Sequence, residues 1–292
     1  MVTSAAGGVR VGLSEGAVRR PAPALRPYVR SYQGYRLSGF DAGEHVGLPS
    51  DSITVILPFD RPLHVVRPAV ADQAPGEFAA LASGLGTAPV VMGHDGAEHG
   101  IQISFTPAGT RAVLGVPPAA LGQWMVPLVD LLGPDAAEVT AECESASTWA
   151  HRFAVLDRVF TRRLAGDAGG VDPRLTAAWS MTTGPDGAAV AAVARAVGWS
   201  SRHLEKRFVA EFGVTPRDAG RLARFARSHA LVRRADPPRL ADVAARCGFY
   251  DQAHLAREWR ALAGSAPSVW RRDEKFAFVQ DESLGVESGS RS

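Results

Sequence analysis

Cysteine and long apolar runs are scarce in this sequence of 292 residues. The 2 cysteines, Cys143 and Cys247, lie far apart and match neither a disulfide framework nor a metal-binding spacing, which favours a reducing cytoplasm. No run approaches the ~18 apolar residues that a transmembrane helix needs, so we expect no membrane partner. A basic start followed by an apolar block is also missing, and a secretory signal is not expected.

Motifs of enzyme active sites are missing as well. The sequence contains no P-loop and no paired catalytic motif. Cys143 stands between Glu142 and Glu144, whose negative charges disfavour the reactive thiolate. His94 and His99 are five positions apart with a glycine between them, a spacing that matches neither a metal-binding helix nor a His-x-His pair. We therefore expect no catalytic residues, no metal site and no cofactor.

One local pattern occurs twice between residues 188 and 272. Each copy combines a short apolar helix, a glycine, a side chain with a hydroxyl or carboxylate group, and a second amphipathic helix. Gly198 and Gly248 stand where the chain must turn sharply, a position that favours positive φ. Ser200 and Asp251 offer an oxygen to the free N–H groups at the start of the next helix. This is the sequence pattern of a helix-turn-helix, present twice.

The second helix of each copy has an apolar and a polar face. Leu204 and Phe208 are four positions apart, as are Leu255 and Trp259, so each pair lies on one face and packs inward. The opposite faces carry side chains of the kind that reach base edges in the major groove of DNA. The residues that we expect to contact DNA are Ser201, Arg202, Glu205 and Lys206 in the first copy and Gln252, Ala253, Ala256 and Arg257 in the second.

These residues differ in their expected roles. Ala253 and Ala256 would only touch a thymine methyl group. Ser201 and Arg271 are expected to contact phosphates rather than bases. The alternative for all of them is that they form the solvated face of a packed helix.

A predicted helix connects the two copies. Thr215 and Pro216 form a helix start, and helical spacing continues to Arg234. Asp236 and the two prolines after it end the helix. A rigid connector of this length can hold two reading helices about one turn of DNA apart, roughly 34 Å.

The net charge of the chain is only +2, but its distribution is uneven. Between Asp186 and Arg272 there are sixteen Arg or Lys and eight Asp or Glu, an excess of +8, so the remainder carries −6. A basic module beside an acidic one is typical of a protein that binds nucleic acid. Together with the repeated pattern, it indicates double-stranded DNA as the partner.

This segment resembles the DNA-binding domain of the AraC/XylS family of bacterial transcription regulators. The resemblance is carried by Val193, Ala194, Val197, Gly198, Ser200, Leu204, Phe208, Phe212, Gly213, Thr215, Pro216, Val243, Ala244, Gly248, Phe249, His254, Leu255, Trp259, Ala266, Pro267, Trp270, Arg271 and Arg272. Three positions depart from the usual pattern, namely Gly220, Cys247 and the Trp at 259. The resemblance implies a sequence-specific, cytoplasmic regulator of transcription.

The region before the copies is rich in predicted strands, at residues 31–37, 52–60, 62–66, 78–83, 89–92 and 100–106. Gly and Pro separate them densely, which favours an antiparallel sandwich or a small barrel. Short helices are expected from Pro107 onward, and Ser147–Leu164 is a longer amphipathic helix.

The predicted fold is therefore α+β, with a β-rich N-terminal domain (a cupin-like barrel or a sandwich), connecting helices, and an all-α C-terminal domain with two helix-turn-helix motifs. The expected boundaries are 1–20 for a disordered N-terminus, 21–135 for the β-rich domain, 136–183 for the connecting helices, 184–272 for the DNA-binding domain and 273–292 for a flexible tail.

The resemblance also implies partners for the first domain. In AraC/XylS-type regulators this domain often binds a small effector or mediates dimerisation, so a small-molecule effector and a homodimer are expected partners. Tyr35, Phe59, Phe105 and Trp124 are candidates for lining an effector pocket, and the alternative is that they are core residues. The apolar stripe of the 147–164 helix either pairs with its copy in a second subunit or packs on its own β-domain.

Two other functions remain open at this point. The chain could be a DNA-associated enzyme or repair protein with a catalytic N-terminal domain, or an architectural DNA binder without an effector. The sequence gives neither the target promoter nor the choice between activator and repressor.

Overall fold

The computed structural model describes residues 12–164 and 170–274. The N-terminal part of these ranges folds into two antiparallel sheets. The first has the spatial order β1 (Leu13–Arg19), β2 (Val29–Ser38), β9 (Glu98–Phe105), β4 (Ile53–Pro58), β7 (Leu81–Ser83) and β10 (Met125–Pro127). The second has the order β3 (Gly43–Gly47), β8 (Val90–His94), β5 (Leu63–Arg67) and β6 (Gly76–Phe78). No pairing among the described strands closes the sheets into a barrel, so the structure has the open, two-sheet architecture.

Helices follow the sheets. The first group is α1 (Pro107–Gly109), continued by a π-turn (Thr110–Leu114), then α2 (Pro118–Leu121), α3 (Val129–Leu132), α4 (Pro134–Ser145), α5 (Trp149–Leu164) and α6 (Pro173–Thr183). The C-terminal group is α7 (Val190–Ala196), α8 (Ser201–Phe212), α9 (Pro216–Val232), α10 (Leu240–Cys247), α11 (Gln252–Ala263) and α12 (Pro267–Asp273). The predicted α+β class, with its β-rich N-terminal part and helical C-terminal part, is confirmed. No helix in the described ranges is long and apolar enough to cross a membrane.

The expected disorder of residues 1–20 is wrong for the part that the structure describes. Residues 13–19 form β1, which pairs with β2 in a continuous register from Leu13 opposite Ser38 to Arg19 opposite Tyr32. The pairing satisfies the backbone of a segment whose composition alone carries no strand signal. Residues 1–11 and most of the expected C-terminal tail lie outside the described ranges.

Three further elements differ from the sequence-based prediction. β3 is a strand in a glycine-rich segment, because β8 provides its hydrogen-bond partners. The single strand predicted at 78–83 is divided into β6 and β7, which belong to different sheets. No separate helix is predicted for residues 134–145, yet α4 occupies them and buries Ala136, Val139 and Cys143.

The apolar stripe of α5 packs on its own β-domain. The ring of Phe153 stacks on Tyr32 with a centroid distance of 5.7 Å, and Phe160 meets Phe105 at 5.3 Å. The sequence leaves two alternatives for this stripe, contact with a second subunit or packing on its own β-domain. The structure shows the second, because a stripe buried within one chain is not a surface for a second subunit.

The described apolar residues form two large clusters, and the two helix-turn-helix motifs belong to different ones. The first cluster contains the core of the six-stranded sheet together with Leu204 and Phe208 of α8. The second contains Leu222 and Phe225 of α9 and the interior of α10 and α11, including Trp259. The first helix-turn-helix is therefore continuous with the N-terminal core, whereas the second has its own core.

Candidate nucleic-acid interface

Both turns of the repeated motif have the geometry that the sequence predicts. Gly198 and Gly248 adopt φ of +74° and +77°, in the left-handed region where side chains are strained. Ser200 accepts a hydrogen bond from the backbone N–H of His203 at 3.2 Å. Asp251 accepts one from His254 at 2.6 Å. These caps fix the start of α8 and α11, the two candidate reading helices.

The inward faces of the two reading helices are buried as predicted. Leu204 and Phe208 of α8 are fully buried, and so are Leu255 and Trp259 of α11. The indole Nε1 of Trp259 donates to Ser228 Oγ at 2.9 Å, so the linker helix α9 satisfies the polar atom of the largest core side chain. Packing and capping together set which face of each reading helix meets the solvent.

The opposite faces carry the residues that we expect to contact DNA. Ser201, Arg202, Glu205, Lys206, Gln252, Ala253 and Arg257 are exposed, and Ala256 is half-buried. None of the long polar side chains in this set is engaged in a hydrogen bond or an ion pair with the described residues. Their contact with DNA stays a prediction, and the exposed faces are available for it.

One expected phosphate contact is engaged elsewhere. The guanidinium of Arg271 donates to the carbonyl oxygens of Val232 at 3.1 Å and Ala235 at 3.2 Å. Val232 is the last residue of α9, where backbone oxygens lack helical partners, and Ala235 lies in the segment just after it. Arg271 therefore caps the linker helix.

Tyr250 is a further candidate for contact with DNA, and it is not among the residues expected from the sequence. Its side chain is 92% exposed in the turn directly before α11, beside the buried Phe249. The backbone N–H of Tyr250 donates to His254 Nδ1 at 3.2 Å, which holds this residue against the start of the helix. The sequence signal for an exposed aromatic side chain here is the pair of adjacent aromatic residues in a turn, since only one of them can pack inward.

A threonine caps the start of the linker helix α9, and ion pairs attach this helix to the second motif. Thr215 caps it by accepting from the N–H of Asp218, as predicted. Arg221 donates to Glu258 of α11 at 2.8 Å and to Asp218 at 3.1 Å. These partners raise the pKa of Arg221 against the lowering effect of its burial. The position of α11 is thus set by ion pairs as well as by its apolar core.

The N-terminal domain holds the first motif directly. Arg111, in the π-turn after α1, donates to both carboxylate oxygens of Glu211 near the end of α8, at 2.6 and 2.8 Å. Gly213 follows at φ +76°, and a methyl group there would lie 3.0 Å from the backbone of Ala119 in α2. The first reading helix is therefore anchored to the N-terminal domain at its C-terminal end.

The four candidates for an effector pocket do not lie together. Tyr35 and Phe59 line a cavity of ≈ 660 Å³ at one end of the two sheets. Phe105 is core and packs on α5, and Trp124 is 44% exposed and does not line that cavity. The four residues therefore do not line one shared cavity, and effector binding by Tyr35 and Phe59 stays a prediction.

The structure also shows where Cys143, His94 and His99 lie, the side chains considered for reactivity or metal binding. Cys143 is buried, and burial raises the pKa of its thiol to about 12, with Glu142 adding to the effect. His94 ends β8, and His99 lies in β9, where its Nδ1 faces Asp60 at 3.3 Å. No group of three or more His, Cys, Asp or Glu in the described ranges is arranged to hold a metal ion.

Comparison with known proteins agrees with this geometry. A family model described as "Helix-turn-helix domain" matches residues 193–273, from the first motif to α12. The C-terminal region is an AraC-type helix-turn-helix domain. The predicted class of function, a DNA-binding transcription regulator, is thereby confirmed. No curated protein matches the chain.

Solved structures of similar fold cover most of the chain. ToxT from Vibrio cholerae is 11% identical, with a TM-score of 0.52, and the match covers 82% of this chain and 97% of that one. ToxT bound to an unsaturated fatty acid, from the same organism, is 11% identical, with a TM-score of 0.51 and coverage of 87% and 96%. At this identity the likeness shows that the two-part architecture is shared.

Proposed function

We propose that this AraC-type regulator reads DNA sequence with both helix-turn-helix motifs at once. Arg202, Glu205 and Lys206 of α8 and Gln252 and Arg257 of α11 contact base edges in successive major grooves. Ser201 and the N–H groups at the helix starts contact phosphates. The observation that carries the proposal is that both reading helices present long polar side chains that the rest of the described chain leaves unengaged.

The linker helix supports the same proposal. α9 has 17 residues, which at about 1.5 Å per residue is roughly 25 Å long. Because it packs on both motifs, it fixes their separation along the duplex. Two motifs in one chain then bind two adjacent half-sites without a second subunit, and a homodimer would double that number.

A small molecule bound in the N-terminal domain is proposed to control DNA binding. Two features support this, namely the cavity between the sheets' ends and the direct attachment of the first motif to the domain through Arg111 and Glu211. One structure of ToxT from Vibrio cholerae has an unsaturated fatty acid bound. We propose a regulator that acts in the cytoplasm and has no catalytic activity.

Selection from random double-stranded DNA with the full chain tests the function. Recovery of one motif with two half-sites about one helical turn apart is the expected result. Binding should weaken steeply as salt rises, because phosphate contacts release counterions. Recovery of bound DNA without any common motif would contradict sequence-specific regulation and favour an architectural role.

Variants of the reading helices make the test specific. Arg202→Ala and Arg257→Ala should each relax the preference at a different half-site. Arg30→Ala is the matched control, because this arginine pairs with Asp51 in the N-terminal domain. An altered motif with the control variant, or an unaltered one with both reading-helix variants, would contradict the assignment.

A further inference from the structure

The cavity of ≈ 660 Å³ has the volume of a small-molecule site. It lies where β3, β5, β8 and β9 end, and its wall combines two kinds of side chain. Tyr35 and Phe59 contribute aromatic surface, and both are almost fully buried. The rest of the wall mixes apolar residues with histidines and several carboxylates.

Negative charge on this wall exceeds positive charge. Four carboxylates line it, those of Glu44, Glu77, Asp95 and Glu98, against the single guanidinium of Arg61. Arg61 is paired with Asp95. No lysine or arginine of the described ranges forms an ion pair with the other three.

Glu98 is the carboxylate placed deepest in the wall. Only 11% of its side chain is exposed, and its Oε1 lies 4.0 Å from His45 Nδ1. Its Oε2 accepts no hydrogen bond from any residue that the structure describes. Burial lowers the pKa of His45 to about 3, so this ring brings no positive charge at neutral pH. A buried carboxylate oxygen of this kind is costly unless a donor reaches it.

We propose that this cavity binds a small organic cation, a primary amine with an apolar body, whose ammonium group donates to Glu98 and whose body packs on Tyr35 and Phe59. An ammonium group provides both the missing charge and the missing N–H donors. The evidence for the site is the cavity and its lining residues. Only its role as the effector site rests on the proposed function.

The protonation of Glu98 provides a second readout. Burial raises its pKa to about 8, and the charge of Asp95 adds to this effect. The other titratable groups that face it are Tyr35 from β2 and His45 from β3, and the ring of His94 from β8 packs on that of His45. Without a cation the carboxyl group is therefore mostly protonated at neutral pH. Binding of an ammonium group should release that proton, so affinity should rise between about pH 6 and pH 8.

Calorimetric titration of the full chain tests the proposal. The probe is 2-phenylethylamine, compared with 2-phenylethanol as its neutral analogue, phenylacetate as an anion and zinc chloride as a metal ion. We expect the amine alone to bind, with one site and with proton release. Equal or tighter binding of the alcohol or the carboxylate, binding of zinc but not the amine, or no binding of the amine at millimolar concentration would each overturn the proposal.

Two variants locate the site. Glu98→Gln should weaken amine binding about tenfold or more and remove the rise with pH, since the charge-assisted hydrogen bond is lost. Glu15→Gln removes an exposed carboxylate of β1 and should change nothing. If Glu98→Gln fails to fold, a crystal of the unaltered chain with 4-bromophenylethylamine decides instead, and bromine density anywhere but between Tyr35 and Phe59 overturns the proposal.

DNA binding is measured separately, by gel shift on the selected site with and without the amine. Amine binding that leaves DNA affinity unchanged keeps the site and removes its role as effector site. Amine binding by a chain that selects no DNA motif keeps the site while the proposed regulator function fails.

Discussion

The bidentate pair between Arg111 and Glu211 should make a measurable contribution to stability. Its N···O distances are 2.6 and 2.8 Å, and 33% of the Arg111 side chain is exposed against 10% of that of Glu211. Arg111→Met keeps the length of the side chain but leaves a nearly buried carboxylate without these two donors. Loss of one partner of a fully buried pair costs about 3–5 kcal/mol, and an exposed pair contributes about 0–1 kcal/mol. For this geometry we expect a loss of about 2 kcal/mol.

Urea denaturation of the full chain, followed by circular dichroism, measures that loss. A double-mutant cycle with Glu211→Leu separates the pair from its surroundings, and the double variant should recover at least about 1 kcal/mol relative to additivity. Arg158→Met is the matched control, since its partner Glu142 lies on an exposed surface where little change is expected. Additive losses, or equal effects of the two methionine substitutions, would refute the assigned role of the pair.

A second test of the Arg111–Glu211 pair is to find which helix is destabilised when the pair is lost. Hydrogen exchange in α8 should accelerate in Arg111→Met, because the helix loses an anchor at its C-terminal end. Exchange in α11 should stay the same, because that helix belongs to the other apolar cluster. Acceleration in both helices would show that the two motifs open together.

Four further outcomes can be checked. Arg257→Ala should weaken binding to the selected site by about 1–3 kcal/mol in competition gel shifts, and an equal loss on unrelated DNA would contradict base reading. Ser228→Ala should lower stability by about 1–2 kcal/mol in thermal unfolding, since the buried Nε1 of Trp259 loses its acceptor. Burial lowers the pKa of His229 to about 3, so the unfolded chain binds more protons below about pH 6.5 and stability should fall as pH decreases; His229→Leu should flatten this slope, and an unchanged slope would assign it to other groups. Gly220→Ala should raise stability by about 0.5–1 kcal/mol, because the added methyl group would lie no closer than 3.5 Å to its neighbours, and a lower melting temperature would show hidden strain.

The helix-turn-helix motifs were predictable because their determinants are local. A glycine at the turn, a capping oxygen two or three residues later and an apolar pair four residues apart all act within one turn of helix. Gly198, Ser200 and Leu204 therefore have the same meaning in the sequence as in the structure. The same holds for Thr215 at the start of α9.

The N-terminal domain was less predictable because its determinants are distant in sequence. β1 exists through pairing with β2, and nothing within residues 13–19 indicates it. Trp124 is exposed while Phe105 is core, although both are aromatic residues next to predicted elements. The cavity could not be found from the sequence either, since Tyr35, Phe59 and Glu98 come from three separate strands or turns.

The two motifs are held in place by different means, and this limits how the N-terminal domain can act on DNA binding. The first motif shares the N-terminal core, so it must move with that domain. The second is attached through α9, through Leu48, which packs on its core, and through the N–H of Val46, which donates to Glu274. Ala219 belongs to the first cluster and Leu222 to the second, so the boundary lies inside α9, next to Gly220. In the proposed binding of two half-sites, the separation of the motifs then depends on the stiffness of α9 at this boundary and on the contacts of Leu48 and Val46.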